Sequence, residues 1–260
     1  MAIKPIHIVD RSKFSKGSIT VEENDEDDED TKTESLEYNG SRFRLLANPN
    51  NELEVRIINA ISHNPDLQER LEFSEPNRKY HTEFLGLLGI HIENGIRYIR
   101  SMSRYKGWKK YEHILVPAFL LHDLSKKDEE FYGFDERGHP KIPHQRLAYE
   151  MAQTLLEITN TQVLNIILHH DDHYRLYRDR DYYKDSTIKH FKFYLENLGR
   201  EELEMLVKFG YADRYRKKPE KRNELKKYFP LKKLFKNQME WFINTAKESN
   251  LLNKDFEPFS

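Results

Sequence analysis

The sequence predicts an all-α protein, and three observations carry that prediction. The 260-residue chain contains only 10 Gly and 10 Pro, too few turn residues for a fold built from many short strands. From residue 48 onward, apolar residues recur at steps of three and four, as they do along one face of a helix. Residues suited to starting or stopping helices, such as Asn51, Asn64-Pro65, Gly199 and Pro219, separate these runs.

The first 47 residues stand apart as an N-terminal arm. Glu22 to Asp30 place eight carboxylates in nine positions. Such a block repels itself and has nothing apolar to bury, so residues 16 to 35 are expected to be disordered. The segment before it, with Ile3, Ile6, Ile8 and Val9, suits a short strand or a peripheral arm.

Helices follow. Asn51 is expected to cap one carrying Leu53, Ile57, Ile58 and Ile61 and ending near Asn64-Pro65. A longer one is predicted from about Tyr80 to Arg104, on the spacing of Phe84, Leu88, Ile92, Ile96 and Ile99. Pro117 fits the first turn of a third helix that holds Phe119 to Lys126. After a polar loop with Gly133, Gly138, Pro140 and Pro143, helices are expected at His144–Ile158, Thr161–His170, Ser186–Leu198 and Arg200–Tyr215. Gly199 occupies a C-terminal cap position and Pro219 stops the last helix. Residues 48–216 thus read as one helical domain and 217–260 as a basic helical extension.

Composition removes several classes of function. With no cysteine, the chain has no disulfide, thiolate nucleophile or cysteine-type zinc site. Met1 to Lys16 lacks the apolar stretch of a signal peptide, and the run Ile114 to Leu121 is too short to cross a bilayer. A soluble, cytoplasmic protein is the expectation. The net charge of −1 comes from 43 basic and 44 acidic residues, a balance that conceals the acidic block and an opposite, basic run near the C-terminus.

Function is read from the polar residues that continue the apolar faces. His91 lies seven residues after Phe84 and three after Leu88, and so points inward with them. His122 and Asp123 end the apolar run Ala118 to Leu121. His144 opens its helix just before Leu147 and Ala148, and His169 and His170 end the run Ile166 to Leu168. Asp213 lies seven after Leu206, again on the inner side. A buried carboxylate is costly unless it is paired, hydrogen-bonded or bound to a metal. Five histidines and two aspartates facing one interior are hard to satisfy by mutual hydrogen bonds, whereas a divalent cation accepts both ligand types and balances their charge. Such a nitrogen and oxygen set suits Mn, Fe, Ni, Co or Mg better than a structural zinc.

The ordered segments "GIHIENGIRYI", "FLLHDLSK", "PHQRLAYEMA", "IILHHDDH" and "GYADRYR" resemble the HD-domain superfamily of metal-dependent phosphohydrolases, over about residues 80 to 216. Two departures are Ser125, where many members have Gly, and Asp171, where Glu is common after the paired histidines. The resemblance implies an HD-like helical bundle in which His91, His122, Asp123 and Asp213 hold one metal. It further implies that Asp123 bridges to a second ion held by His144 and by His169, His170 or both. Adjacent helical residues diverge by about 100°, so one of the pair can bind metal while the other orients a ligand or substrate. His91 is preferred over His81 as first ligand because it lies on the periodic face.

The implied chemistry is hydrolysis of a phosphoester by metal-activated water, with Asp123 and Lys126 central to catalysis. Lys126, one turn after Asp123, would place a point charge against phosphorus, and His173 and Arg214 complete the expected substrate contacts. Arg214 to Lys236 contains eleven Lys or Arg and two Glu, interleaved with Tyr215, Tyr228 and Phe229. This stripe suits a phosphorylated, anionic substrate, nucleotide or nucleic acid, or else forms a solvated helix face. A di-iron oxygenase using the same ligands and a non-catalytic nucleotide- or RNA-binding module are the alternative classes.

Overall fold

In the computed structural model the described residues are 47–72, 88–136, 139–183, 186–214 and 222–260, the side chains of residues 130 and 222–231 excepted. Their regular structure is helical. The only pairing of extended backbone among them is a single bridge between Phe134 and Pro140, so the all-α class holds. The expected disordered segment 16–35, the strand or arm around Ile3 to Val9, Phe84 and Pro219 lie outside the described residues, as do His81 and most side chains of the basic stripe.

Helix α1 (Glu52–His63) starts where expected. The Asn51 side chain accepts from the Glu54 N–H, and Asn64 does the same for α2 (Pro65–Leu71), with proline in its first turn. Helix α3 (Leu88–Met102) buries Leu88, Ile92, Ile96 and Ile99 on one face. A short α4 (Lys106–Lys109) places Trp108 in the core.

Helix α5 (Glu112–Leu121) corrects one expectation, because Pro117 lies in its interior rather than in its first turn. A proline inside a helix leaves the carbonyl four residues earlier without its donor. Here that carbonyl is His113 O, and the Asn51 Nδ2 donates to it at 3.3 Å. The same asparagine therefore caps α1 and satisfies the gap in α5.

Beyond Leu121 the chain turns through Lys126–Asp128, a single 3₁₀ turn, into the short α6 (Glu129–Tyr132). Helix α7 (His144–Thr154) ends earlier than expected: Glu157 has φ 51°, the left-handed conformation that halts a helix. Helix α8 (Thr161–His169) is capped by Asn160. Helices α9 (Asp172–Tyr183), not foreseen as a helix, and α10 (Thr187–Leu195) follow. Gly199 does not cap the end of α10. Its extended backbone (φ −66°, ψ 161°) begins α11 (Arg200–Asp213), and its N–H donates to the Glu202 carboxylate at 2.7 Å. Helix α12 (Arg222–Glu248) closes the chain's regular structure.

Helix α5, buried from Ile114 to Leu121, is the axis of the fold. It packs against α1, α3, α8 and α11, while α12 covers α9, α10 and α11. The apolar face of α12, with Met239, Phe242, Ile243 and Ala246, belongs to the same continuous core. Lys208 is buried in α11, where its ammonium and the Trp108 indole N–H both donate to Pro258 O, at 2.9 and 2.7 Å. Burial lowers its pKa to about 8.

At the end of α5 Phe119 contacts Phe209 of α11 and packs, tilted, against two histidines, His91 and His122. Gly95 makes this possible, since a Cβ there would sit 2.1 Å from the Phe119 ring. Gly95→Ala is expected to destabilise the protein by about 1–3 kcal/mol through overpacking, read from urea unfolding midpoints. A variant within about 0.5 kcal/mol of wild type would mean that the ring can move aside.

Candidate metal centre

Five helices deliver the polar cluster. His91 comes from the first turns of α3, His122 and Asp123 from the end of α5, His144 from the first residue of α7, His170 from just past α8, and Asp213 from the last residue of α11. Each lies at or near a helix end, where the side chains of separate helices converge on one point without interrupting the apolar packing along their lengths.

The residues form two groups. His91, His122, Asp123 and Asp213 each offer a ligand atom within 4.8 Å of the others, and so do Asp123, His144 and His170. Asp123 belongs to both, and its two oxygens divide between them. Oδ2 lies 3.4 Å from His122 Nε2 and 3.8 Å from His91 Nε2. Oδ1 lies 3.1 Å from His144 Nε2 and 3.5 Å from His170 Nε2, and this buried oxygen has no aligned hydrogen-bond donor. Asp213 Oδ1 completes the first group, 3.1 Å from His91 Nε2 and 3.3 Å from His122 Nε2.

The other ring nitrogens settle which way the imidazoles present their lone pairs. His122 Nδ1 donates to Phe119 O at 2.9 Å and His170 Nδ1 to Ile167 O at 2.8 Å, main-chain acceptors that require an N–H. His144 Nδ1 donates to Glu129 Oε1 at 2.8 Å. The neutral rings thus turn bare Nε2 atoms inward. Yet His144 and His170 bring theirs within 3.1 Å of each other, while His91 sets its Nε2 3.4 Å from that of His122 and 3.1 Å from Asp213 Oδ1. Two lone pairs at such a distance repel unless a cation or a proton lies between them, so the cluster is a well for positive charge.

Without an ion, protons fill that well. Burial alone would push the His122 pKa down, but Asp123 and Asp213 carry it up to about 10. For His144, burial is likewise outweighed by Asp123 and Glu129, which raise it to about 9. The carboxylates respond in the opposite sense. Against their burial, His122 and Lys126 hold Asp123 well below the usual carboxylate range, and Arg214, His122 and His91 do so for Asp213. Either a divalent ion or two protons can neutralise this set; both cannot occupy the same Nε2 atoms.

The remaining candidates fall around the cluster. The Lys126 ammonium lies 2.8 Å from Asp123 Oδ2. Arg214 pairs with Asp213 at 3.3 Å and Asp171 at 3.2 Å, which ties it to the ligand groups from behind. His169 belongs to neither group. Its Nδ1 turns aside to Asp172 Oδ2 at 2.7 Å, as the angular offset between neighbouring helical residues requires; of the two adjacent histidines, His170 faces inward. His173 is buried beside Phe235 and hydrogen-bonds His170 O, rather than lining an open mouth. Burial and the neighbouring Arg214 lower its pKa to about 4.

Sequence reasoning missed Glu129 and did not give Asp171 a role. Asp171 is held to about pKa 2 by His170, Arg214 and His144 against its burial, and it accepts from Gln145 at 3.1 Å. Its position after His170 was the available signal. Glu129 lies in a polar stretch without periodicity and gave none.

No family model, curated protein or solved structure matches the chain. Among the described residues, no helix is long and apolar enough to cross a membrane. The donor set is imidazole- and carboxylate-based and buried, and it fits a divalent cation of the kind already named.

The pKa shifts give the metal-free protein a defined pH response. His122 and His144 have folded values above the ordinary histidine 6.5. Their stabilising effect is complete below that value and is lost as pH rises through about 9 and 10. Asp123 and Asp213 contribute above the ordinary carboxylate value, and their contribution is lost on acidification toward their depressed values. In EDTA the urea midpoint is expected to fall steadily from about pH 6.5 to 10. A midpoint independent of pH across that window would remove the proton-for-metal account of the cluster.

Proposed function

We propose that the chain is an HD-type metal-dependent phosphohydrolase that cleaves phosphoester bonds of nucleotides or nucleic acid. The observation that carries this reading is the division of Asp123, one buried carboxylate oxygen facing each of two histidine groups. A carboxylate so placed is the natural bridge of a dinuclear centre. The order His91, His122-Asp123, His144, His170, Asp213 along the chain is also the order expected of an HD-type site. Divalent cations held there would lower the pKa of a bound water and polarise phosphoryl oxygens.

The chain's own residues supply the remaining requirements. His91, His122, His144 and His170 would hold the ions through nitrogens whose direction is fixed by hydrogen bonds on the opposite side of three of the rings. Phe119 and Phe209 form an apolar floor that keeps bulk water from the rear of the ligands. Lys126, half-buried against Asp123 Oδ2, keeps a positive charge beside the place where negative charge develops on phosphorus. Arg214 places a second one on the α11 side, and Asp171 holds it in place. On this reading Asp123 and Lys126 are the residues closest to the chemistry, and the basic stripe from Arg214 to Lys236 receives the anionic substrate.

The direct test is a panel of phosphomonoesters, phosphodiesters and single-stranded nucleic acids with Mn, Mg, Ni, Co or Fe, run on wild type and Asp123→Ala. Wild type is expected to hydrolyse at least one substrate, and the variant to lose that activity and most bound metal with its helical circular dichroism retained. Equal activity in both proteins would reject the site. Neutralising Lys217, Lys218, Lys221 and Arg222 together is expected to weaken binding of a nucleic-acid strand in a salt-dependent way without slowing hydrolysis of a small chromogenic phosphoester. Equal losses on both substrates would show instead that the stripe shapes the pocket.

A further inference from the structure

The two ligand groups are supported differently. Behind the first, the His122 ring donates to a main-chain carbonyl of its own helix, Phe119 O. Behind the second, His170 does likewise with Ile167 O, but His144 donates to a carboxylate from another element, Glu129 of α6. The same oxygen, Glu129 Oε1, also accepts the His144 backbone N–H at 2.6 Å. One carboxylate oxygen therefore fixes both the start of α7 and the orientation of the ring it presents.

Glu129 is itself held in place. The segment that carries it begins directly after Asp123 and is pinned by Arg70 of α2, which donates to Leu124 O at 3.1 Å and pairs with Asp128 at 2.5 Å. Lys127 adds an ion pair with Glu69. Lys126 of the same turn reaches Asp123 Oδ2. The stretch from Leu124 to Glu129 thus links the bridging carboxylate to the His144 ring through a short, doubly anchored path. None of its side chains belongs to either ligand group.

We propose that Glu129 is a positioning residue that sets the hold of the second ligand group, Asp123, His144 and His170, on its cation independently of the first group. A carboxylate hydrogen-bonded to the far nitrogen of an imidazole fixes its tautomer and makes the inward nitrogen a stronger donor, and loss of such a partner weakens metal binding about 10–100-fold. Glu129 hydrogen-bonds His144 of the second group, and the residue the two groups share is Asp123, so the ion of the first should be retained. The inference rests on the dinuclear reading above, and its test separates the two.

Full-length protein stripped with EDTA and dialysed is titrated with Mn(II), and the free ion is followed by electron paramagnetic resonance, for wild type, Glu129→Gln and Glu129→Ala. Wild type is expected to take up two ions. The variants are expected to keep the tighter one and bind the other about 10–100-fold more weakly, with unchanged helical circular dichroism. Glu129→Gln keeps an oxygen acceptor at the same place without its charge, and carries the test should the alanine variant fail to fold. Selective weakening of one ion, in either variant, is the supporting result. Unchanged affinity for the second ion in both variants, or parallel weakening of the two ions, would overturn the role of Glu129 and leave the metal centre standing. A wild type that binds a single ion would overturn it too, and one that binds none would remove the metal centre itself.

Discussion

Everything about this molecule turns on the carboxylate of Asp123. It is buried, yet it is surrounded on both sides by imidazole nitrogens directed at its two oxygens. Burying a charged group among lone pairs is strongly unfavourable unless positive charge is brought in with it. Lys126 brings some, and protons on His122 and His144 can bring the rest. A divalent ion would do so more completely. The helices are arranged so that this residue is reached from every side, because α5 is the one element in contact with α1, α3, α8 and α11, and Asp123 follows directly from its end.

The surrounding apolar structure can be understood as support for that position. The glycine at 95 lets α3 approach the Phe119 ring closely enough for His91 to meet His122. The proline within α5 costs a helical hydrogen bond, and Asn51 restores a donor to the exposed carbonyl. Behind Asp213, Arg214 joins the end of α11 to Asp171 and so to the α8–α9 corner. The contacts of Gly95 and of Arg214 each fix one ligand-bearing segment relative to another, and that of Asn51 steadies the helix that leads to Asp123.

Much of the helical architecture was legible because the apolar spacing is regular and the caps are strong. Asn51 marked the start of its helix to the residue and Asn64-Pro65 its end, while the short helix α2 that follows was not foreseen. The failures have local causes. Pro117 was read as a start because its missing donor is free of cost in a first turn, and the contact of Asn51 with His113 O, 62 positions away in the chain, makes it tolerable in the interior. Gly199 was read as an end because glycine serves both roles and its φ cannot be seen in the sequence. Helix α9 was hidden by its low apolar content; much of its surface is Tyr, Arg and Asp, with only Asp172, His173 and Leu176 buried. In the cluster, inward-facing periodicity pointed to His91, His122, Asp123, His144, His170 and Asp213. It could not choose between His169 and His170, since that depends on where α8 ends, nor reveal Glu129, whose importance comes from a hydrogen bond across a loop.

The most direct measurement is a crystal of the protein soaked with Mn(II), with diffraction recorded at the manganese absorption edge. The account predicts two anomalous peaks about 3.5–4 Å apart, one on each side of the Asp123 carboxylate, the first against His91, His122 and Asp213 and the second against His144 and His170. Fully occupied manganese elsewhere in the crystal, with no peak at either oxygen of Asp123, would contradict it.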